Sequence, residues 1–241
     1  MTGCGCDVEA RSNSTPSRSA RLAVLGICVV LTGVLFVLAR QLDWTRGWIY
    51  VGLLTSQALV NLVCVALWNP VVLRRRGSFA ALRGVKIWDI LWSVLTVLGA
   101  VAVYVVFAGD LGTPAGGVGP SGLVWLIGAT IFVSGWTLFT WSMIANPFFE
   151  KTVRIQREHG HRVIDSGTYA YVRHPGYVGF NAMCLSTPVL LGSVWTALPI
   201  AIMVLLIVIR TVLEDRMLHA ELPGYAEYAT KVRFRLIPRV W

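Results

Sequence analysis

This 241-residue sequence is short of charge. Asp, Glu, Lys and Arg make up 14% of it, with 12 acidic residues against 21 basic ones. Soluble domains carry about 25% charged residues, so an ordinary water-soluble fold is excluded. The five cysteines supply no shared framework: Cys4 and Cys6 sit in a polar N-terminal stretch, and Cys28, Cys64 and Cys184 lie in apolar runs. With no histidine or second cysteine pair near Cys4 and Cys6, no metal site is expected. A Rossmann glycine fingerprint and an internal repeat are also missing. The formal net charge of +9 comes with no nucleic-acid motif. Its basic residues flank apolar runs, where topology and anionic lipid account for them, so nucleic acid is not an expected partner.

What the sequence has in quantity is apolar length. Hydrophobic residues make up 56% and the mean hydropathy is +0.66. A bilayer core is spanned by about 20 consecutive apolar residues and tolerates almost no unpaired charge. Such runs extend from Leu22 to Ala39, Trp48 to Trp68, Ile87 to Ala108 and Leu123 to Ala145. A further pair, Tyr177 to Leu191 and Val194 to Ile209, is broken at Gly192 and Ser193 and reads as a helical hairpin with a short first arm. The expected fold is therefore an all-α, polytopic membrane bundle of five or six spans. Residues 1–20, rich in Ser, Thr and Arg, read as a disordered tail; 21–145 hold four spans; 146–241 hold the hairpin and the polar segments around it. The first span is too long for a typical signal-peptide core.

Lys and Arg set the orientation. Arg74, Arg75, Arg76, Arg83 and Lys86 follow the second span, whereas the loop after the third carries only Asp110. The segment before Tyr177 and the C-terminal tail are also basic, which places both, and the N-terminus, on the cytoplasmic side. Oligomeric state does not follow, because apolar faces serve lipid and subunit contacts alike.

All four histidines fall within 146–179 and 210–241, where chemistry is expected. In Arg173-His174-Pro175-Gly176-Tyr177-Val178-Gly179, Pro175 suits the first turn of a helix whose free N–H groups favour an anionic ligand group, flanked by His174 and Tyr177. The plain alternative for His174 is an interface histidine bonded to backbone. Arg210 and Glu214 are four apart and share a helix face. They either pair with each other or present one cation and one anion at the end of a lipid-accessible cavity. Asp89, about one turn into the third span, reads as an interfacial residue that snorkels or pairs with Lys86, and His159 and His219 as solvated.

These two blocks resemble the integral-membrane methyltransferases of the isoprenylcysteine carboxyl methyltransferase and phospholipid methyltransferase group. The likeness rests on Ser166-Gly167-Thr168-Tyr169, the Arg173 to Gly179 run, and Arg210, Glu214-Asp215, Leu218, Gly224, Tyr225, Tyr228 and Val232 to Pro238. It covers roughly Gln156 to Pro238; the N-terminal spans match only in hydropathy. The resemblance implies a cytosol-facing pocket for S-adenosylmethionine. Gln156, His161, Arg162, Val163, Ile164, Tyr169, His174, Pro175, Gly176, Tyr177 and Glu214 align with cofactor-contacting positions, and Arg210 with a substrate position. Gln156 sits one residue off the usual spacing to His161, and Asp215 stands where a second Glu is common.

Methyl transfer from a sulfonium asks for positioning and desolvation more than for acid-base groups, so neither a metal nor a triad is required. For a carboxylate acceptor, such as prenylcysteine or an isoprenoid acid, Arg210 orients it while Glu214 balances the cofactor's positive charge. For an amine, Glu214 or His174 would have to take a proton. Two other classes compete: an NADPH-dependent membrane sterol or steroid reductase, and a non-catalytic membrane protein.

Overall fold

A computed structural model describes residues 45–76, 85–110 and 120–241. The expected span Leu22 to Ala39, the tail with Cys4 and Cys6, Cys28 and Arg83 lie outside the described residues. The described chain is helical: α1 (Thr45–Trp68), α2 (Pro70–Arg76), α3 (Ile87–Asp110), α4 (Gly122–Ala145), α5 (Pro175–Leu191), α6 (Ala197–Glu221) and α7 (Tyr225–Lys231). Two single-turn 3-10 segments, Arg157–His159 and Gly167–Ala170, interrupt the loop between α4 and α5.

Four of these helices, α1, α3, α4 and α6, are long and apolar enough to cross a bilayer. Their outward faces are bare hydrocarbon: Leu67 is 69% exposed, and Leu98 and Leu205 58% each. Such surfaces are tolerable only in an apolar solvent, and the protein is a polytopic helical membrane protein. The expected spans from Trp48, Ile87 and Leu123 correspond to α1, α3 and α4, and the expected hairpin to α5 and α6. Its short first arm is 17 residues long, whereas the second extends to Glu221 and is 25. Arg210, Glu214 and Asp215 thus lie within α6.

The ends of α5 follow from local chemistry. Pro175 occupies the first turn, where its missing N–H costs nothing. Gly192 ends the helix at φ +71°, and its N–H bonds back to the Pro188 and Val189 carbonyls. The turn through Ser193 to Thr196 then starts α6, with Thr196 Oγ1 donating to the Ser193 carbonyl at 2.7 Å.

α4 and α5 form the tightest helix pair. Gly128, Gly135 and Ser142 recur at seven-residue intervals along the buried face of α4. A methyl on Gly135 would stand 2.7 Å from the Gly179 carbonyl oxygen, and one on Gly179 would stand 2.5 Å from that of Gly135. Both positions therefore need glycine, as close helix crossings in membranes do. α1 docks on the other side of α4 through Asn61 Nδ2 to Thr140 Oγ1 at 2.8 Å and Asn69 Nδ2 to the Met143 carbonyl at 2.9 Å. A core of Tyr50, Val103, Phe107, Phe132, Leu190 and Met203 fills the bundle between α1, α3, α4, α5 and α6.

Gly179→Ala should force α4 and α5 apart at a backbone contact that cannot yield. We expect a loss of about 1–3 kcal/mol, read as a lower thermal midpoint in detergent; an unchanged midpoint would mean that the two helices do not meet there.

Candidate active site

One end of the bundle gathers the start of α3, the end of α4, the start of α5 and the end of α6, closed by the loop before α5 and by the C-terminal segment. They enclose a cavity of about 400 Å³, within the size range of small-molecule sites. One wall is apolar, with Trp92 and Val97 of α3, Phe139 of α4, Phe180 of α5 and Ile207 of α6. The other is polar and aromatic, with His161, Tyr169, His174, Tyr177, Glu214 and Tyr225.

The polar wall hangs on Asp215. Its carboxylate is fully buried and receives Arg173 Nε at 2.8 Å and Arg173 Nη2 at 3.1 Å, Arg235 Nε at 2.7 Å and the Tyr225 hydroxyl at 2.9 Å. His174 Nε2 lies 3.3 Å from the same carboxylate. Arg173 Nη1 also donates to the Val232 and Arg233 carbonyls, at 2.9 and 2.8 Å. Backbone bonds from the N–H groups of Arg173 and His174 to the carbonyls of Phe234 and Arg235 lay the C-terminal segment alongside the loop. Burial, and then the neighbouring carboxylate of Asp215, push the Tyr225 hydroxyl far above its ordinary range, so it serves as a fixed donor.

His174 is held by Asp215 and stacks on Tyr177 with ring centroids 5.7 Å apart. Tyr177 donates its hydroxyl to Glu214. Glu214 therefore does not pair with Arg210, although the two share a face of α6. Arg210 Nη2 meets Asp89 Oδ1 at 2.9 Å and donates to the Lys151 carbonyl at 2.9 Å, and its guanidinium lies 3.7 Å from the centre of the Trp92 ring. Asp89 is fully buried and also accepts from the Val153 N–H at 2.8 Å. This corrects the expectation for Asp89: Lys86 pairs with Glu221 at 2.9 Å instead.

Of the residues singled out from the sequence, His161, Arg162, Val163, Ile164, Tyr169, His174, Gly176, Tyr177, Arg210 and Glu214 line the cavity. Gln156 does not. It is buried behind the wall, where Nε2 donates to the Phe148 carbonyl at 2.7 Å and Oε1 accepts from Arg75 at 3.3 Å. Its N–H reaches His161 Nδ1 at 3.3 Å, so Gln156 bears on the cavity through His161. Pro175 is buried in the first turn of α5 and is likewise absent from the lining. Arg162 is exposed at the rim.

Sequence reasoning named none of Asp89, Trp92, Arg173, Asp215 or Tyr225 as a site residue, although Arg173, Asp215 and Tyr225 stood in the two blocks. The signal for Asp89 was a carboxylate inside an apolar run, where an unpaired charge is costly. For Trp92 it was position, one turn beyond Asp89 on the same helix face.

His161 sits against Phe148, ring centroids 4.5 Å apart. Burial, followed by the positive charges of Arg154 and Arg75, lowers its pKa from 6.5 to about 4 despite Glu214. Below pH 6.5 an unfolded chain takes up a proton that the fold refuses. The stabilising contribution of His161 is thus complete above pH 6.5 and is lost as pH falls toward about 4. The thermal midpoint should drop over that interval, and less steeply in His161→Gln. Asp215→Asn, which leaves Arg173 and Arg235 without their anion, should cost about 3–5 kcal/mol, measured by thermal or denaturant unfolding in detergent.

A model of the isoprenylcysteine carboxyl methyltransferase family matches residues 126–220. The protein-S-isoprenylcysteine O-methyltransferase of Schizosaccharomyces pombe is 45% identical over 49 residues, 20% of this chain and 21% of that protein. The protein-S-isoprenylcysteine O-methyltransferase B of Arabidopsis thaliana is 32% identical over 78 residues, 32% of this chain and 40% of that protein. The similarity thus spans well under half the length of either relative. The family match begins within α4, ahead of the two blocks that carried the resemblance, and stops at the end of α6, short of the C-terminal segment that pairs with the loop. Within it lie α5, the loop before it, and α6 with Arg210, Glu214 and Asp215, and in these residues the chain is similar to the isoprenylcysteine carboxyl methyltransferase family.

Proposed function

We infer that this protein transfers a methyl group from S-adenosylmethionine to the carboxylate of a lipophilic acceptor that enters from the bilayer, of the prenylcysteine class. The observation that carries this reading is a cavity with two chemically opposite walls, joined on α6 by Arg210 and Glu214. The relatives from Schizosaccharomyces pombe and Arabidopsis thaliana are O-methyltransferases of protein S-isoprenylcysteine, an acceptor that joins an apolar chain to a polar cysteine group. The reductase alternative finds no support among these relatives.

The donor set suits a sulfonium-bearing amino-acid cofactor. The half-buried Glu214 carboxylate, fixed by the Tyr177 hydroxyl, offers a counter-charge to an ammonium or sulfonium group. The rings of Tyr169, His174 and Tyr177 add aromatic surface beside it. When bound, S-adenosylmethionine supplies an electrophilic methyl: a carboxylate oxygen forms the new O–C bond as the C–S bond breaks, giving a methyl ester and S-adenosylhomocysteine. Arg210 is the group that would place the carboxylate. It lies one helical turn from Glu214, about 6 Å along the axis, so the anion-binding and cation-binding side chains are set side by side. The apolar wall excludes water, which strengthens both interactions and leaves the acceptor oxygen less solvated. No proton needs to be taken from an ionised acceptor, and Glu214 is then an electrostatic partner. Residues 146–241 form the catalytic region in this reading, and the excess of Lys and Arg at this end supports a cytosolic side for it and for both termini.

Calorimetry on the purified protein in detergent, with S-adenosylmethionine and NADPH titrated separately, tests the class. S-adenosylmethionine should bind and NADPH should not; the reverse would install the reductase reading. Glu214→Gln should weaken S-adenosylmethionine about tenfold, as loss of a charged partner does, while Arg210→Ala should leave that affinity intact and abolish turnover of a carboxylate acceptor. Normal turnover by Arg210→Ala would remove Arg210 from the site.

A further inference from the structure

The apolar wall holds two donors that the protein does not use. Arg210 Nε and Trp92 Nε1 are both buried, and neither has a hydrogen-bond partner among the described residues. They are neighbours, because the guanidinium lies 3.7 Å from the centre of the Trp92 ring, and both residues line the cavity. The other polar side chains on this stretch of α3 are already engaged. Ser93 Oγ donates to the Asp89 carbonyl at 2.8 Å and Thr96 Oγ1 to the Trp92 carbonyl at 2.9 Å. Asp89 in turn holds Arg210 from behind at Nη2, together with the Lys151 carbonyl. The guanidinium is thereby fixed in direction while its buried Nε is left without an acceptor among the described residues.

A buried N–H without an acceptor is costly, and such donors in native proteins call for a partner. Two of them side by side, one on a cation, at the membrane side of a cavity, call for an anion with two acceptor oxygens carried on an apolar chain. We propose that Trp92 is a specificity-determining residue of the acceptor site: its indole N–H and Arg210 Nε together bind the acceptor's carboxylate, and Asp89 is the positioning residue that aims Arg210 at it. This rests on the functional reading above and adds to it a helix, α3, that precedes the family-matched segment. The preference for a carboxylate over its uncharged analogue is then built partly by a part of the chain outside residues 126–220.

The test is equilibrium binding of S-farnesylcysteine and of its primary carboxamide to the parent protein and to Trp92→Phe in nanodiscs, with S-adenosylmethionine binding measured on both. Phenylalanine keeps an aromatic face under Arg210 and removes only the N–H donor and part of the ring. The parent should prefer the carboxylate over the amide at least about tenfold. In Trp92→Phe, carboxylate affinity should fall about tenfold while the amide and S-adenosylmethionine bind as before. If the parent discriminates and the variant discriminates equally, Trp92 is not part of the acceptor site and the functional reading stands. If the parent binds the two ligands alike, or neither, the carboxylate reading itself falls and the subsite with it. Loss of S-adenosylmethionine binding by Trp92→Phe would also overturn the assignment, since the ring would then be supporting the whole cavity.

Discussion

The architecture of this site depends on the burial of Asp215. A carboxylate removed from water needs compensating charge and donors, and here two guanidinium groups, a phenol and an imidazole converge on it. Those partners come from the loop before α5, from the region of α7 and from the C-terminal segment. Satisfying one anion therefore ties three stretches of chain together, beside the apolar cluster of Leu222, Tyr225, Tyr228 and Val232. The polar wall of the cavity follows: His174 is turned by Asp215, Tyr177 stacks on His174, and Glu214 is held by Tyr177. A second, smaller anchor of the same kind lies across the cavity, where Asp89 holds Arg210 and the Val153 N–H.

Much of the fold was legible because a bilayer reads sequence in a simple way. Apolar length and the placing of Lys and Arg located α1, α3 and α4 to within a few residues, and the break at Gly192 located the hairpin. The blocks around His174 and Glu214 also drew attention to the end of the bundle that holds the cavity. Pairing was the illegible part. The i, i+4 spacing offered Glu214 as the partner of Arg210, yet Arg210 turned to Asp89, far away in sequence, and Glu214 to Tyr177. Local spacing measures proximity along one helix; it carries no information on which neighbouring helix presses a competing partner into the same space. Gln156 illustrates the same limit, since its position in the pattern did not reveal that its side chain faces away from the cavity toward Arg75 and Phe148.

The close contact of Gly135 with Gly179 gives the cavity a stiff back. α4 and α5 meet backbone to backbone, so Phe139 and Phe180, which follow these glycines and line the cavity, move as one body. α3 and α6 approach from the opposite side through side chains, Met203 packing on the backbone at Gly99 and Asp89 meeting Arg210. Of the two sides, that one has more room to adjust to an acceptor chain of variable shape.

The hairpin is lopsided, and that sets the depth of the cavity. At 1.5 Å per residue, the 17 residues of α5 rise about 26 Å and the 25 of α6 about 38 Å. The two helices leave the same tight turn, so α5 stops roughly 12 Å short of the end of α6. With the hairpin turn at the far edge of a hydrocarbon core of about 30 Å, the start of α5 and the loop carrying His174 would lie inside that core, in a notch that α6 fences on one side. A lipid tail that drifts sideways into this notch stays in hydrocarbon throughout, and only its polar terminus has to change surroundings. For the lipophilic acceptor proposed above, the geometry of the membrane would bring the reacting group to depth, with no need to extract it into water.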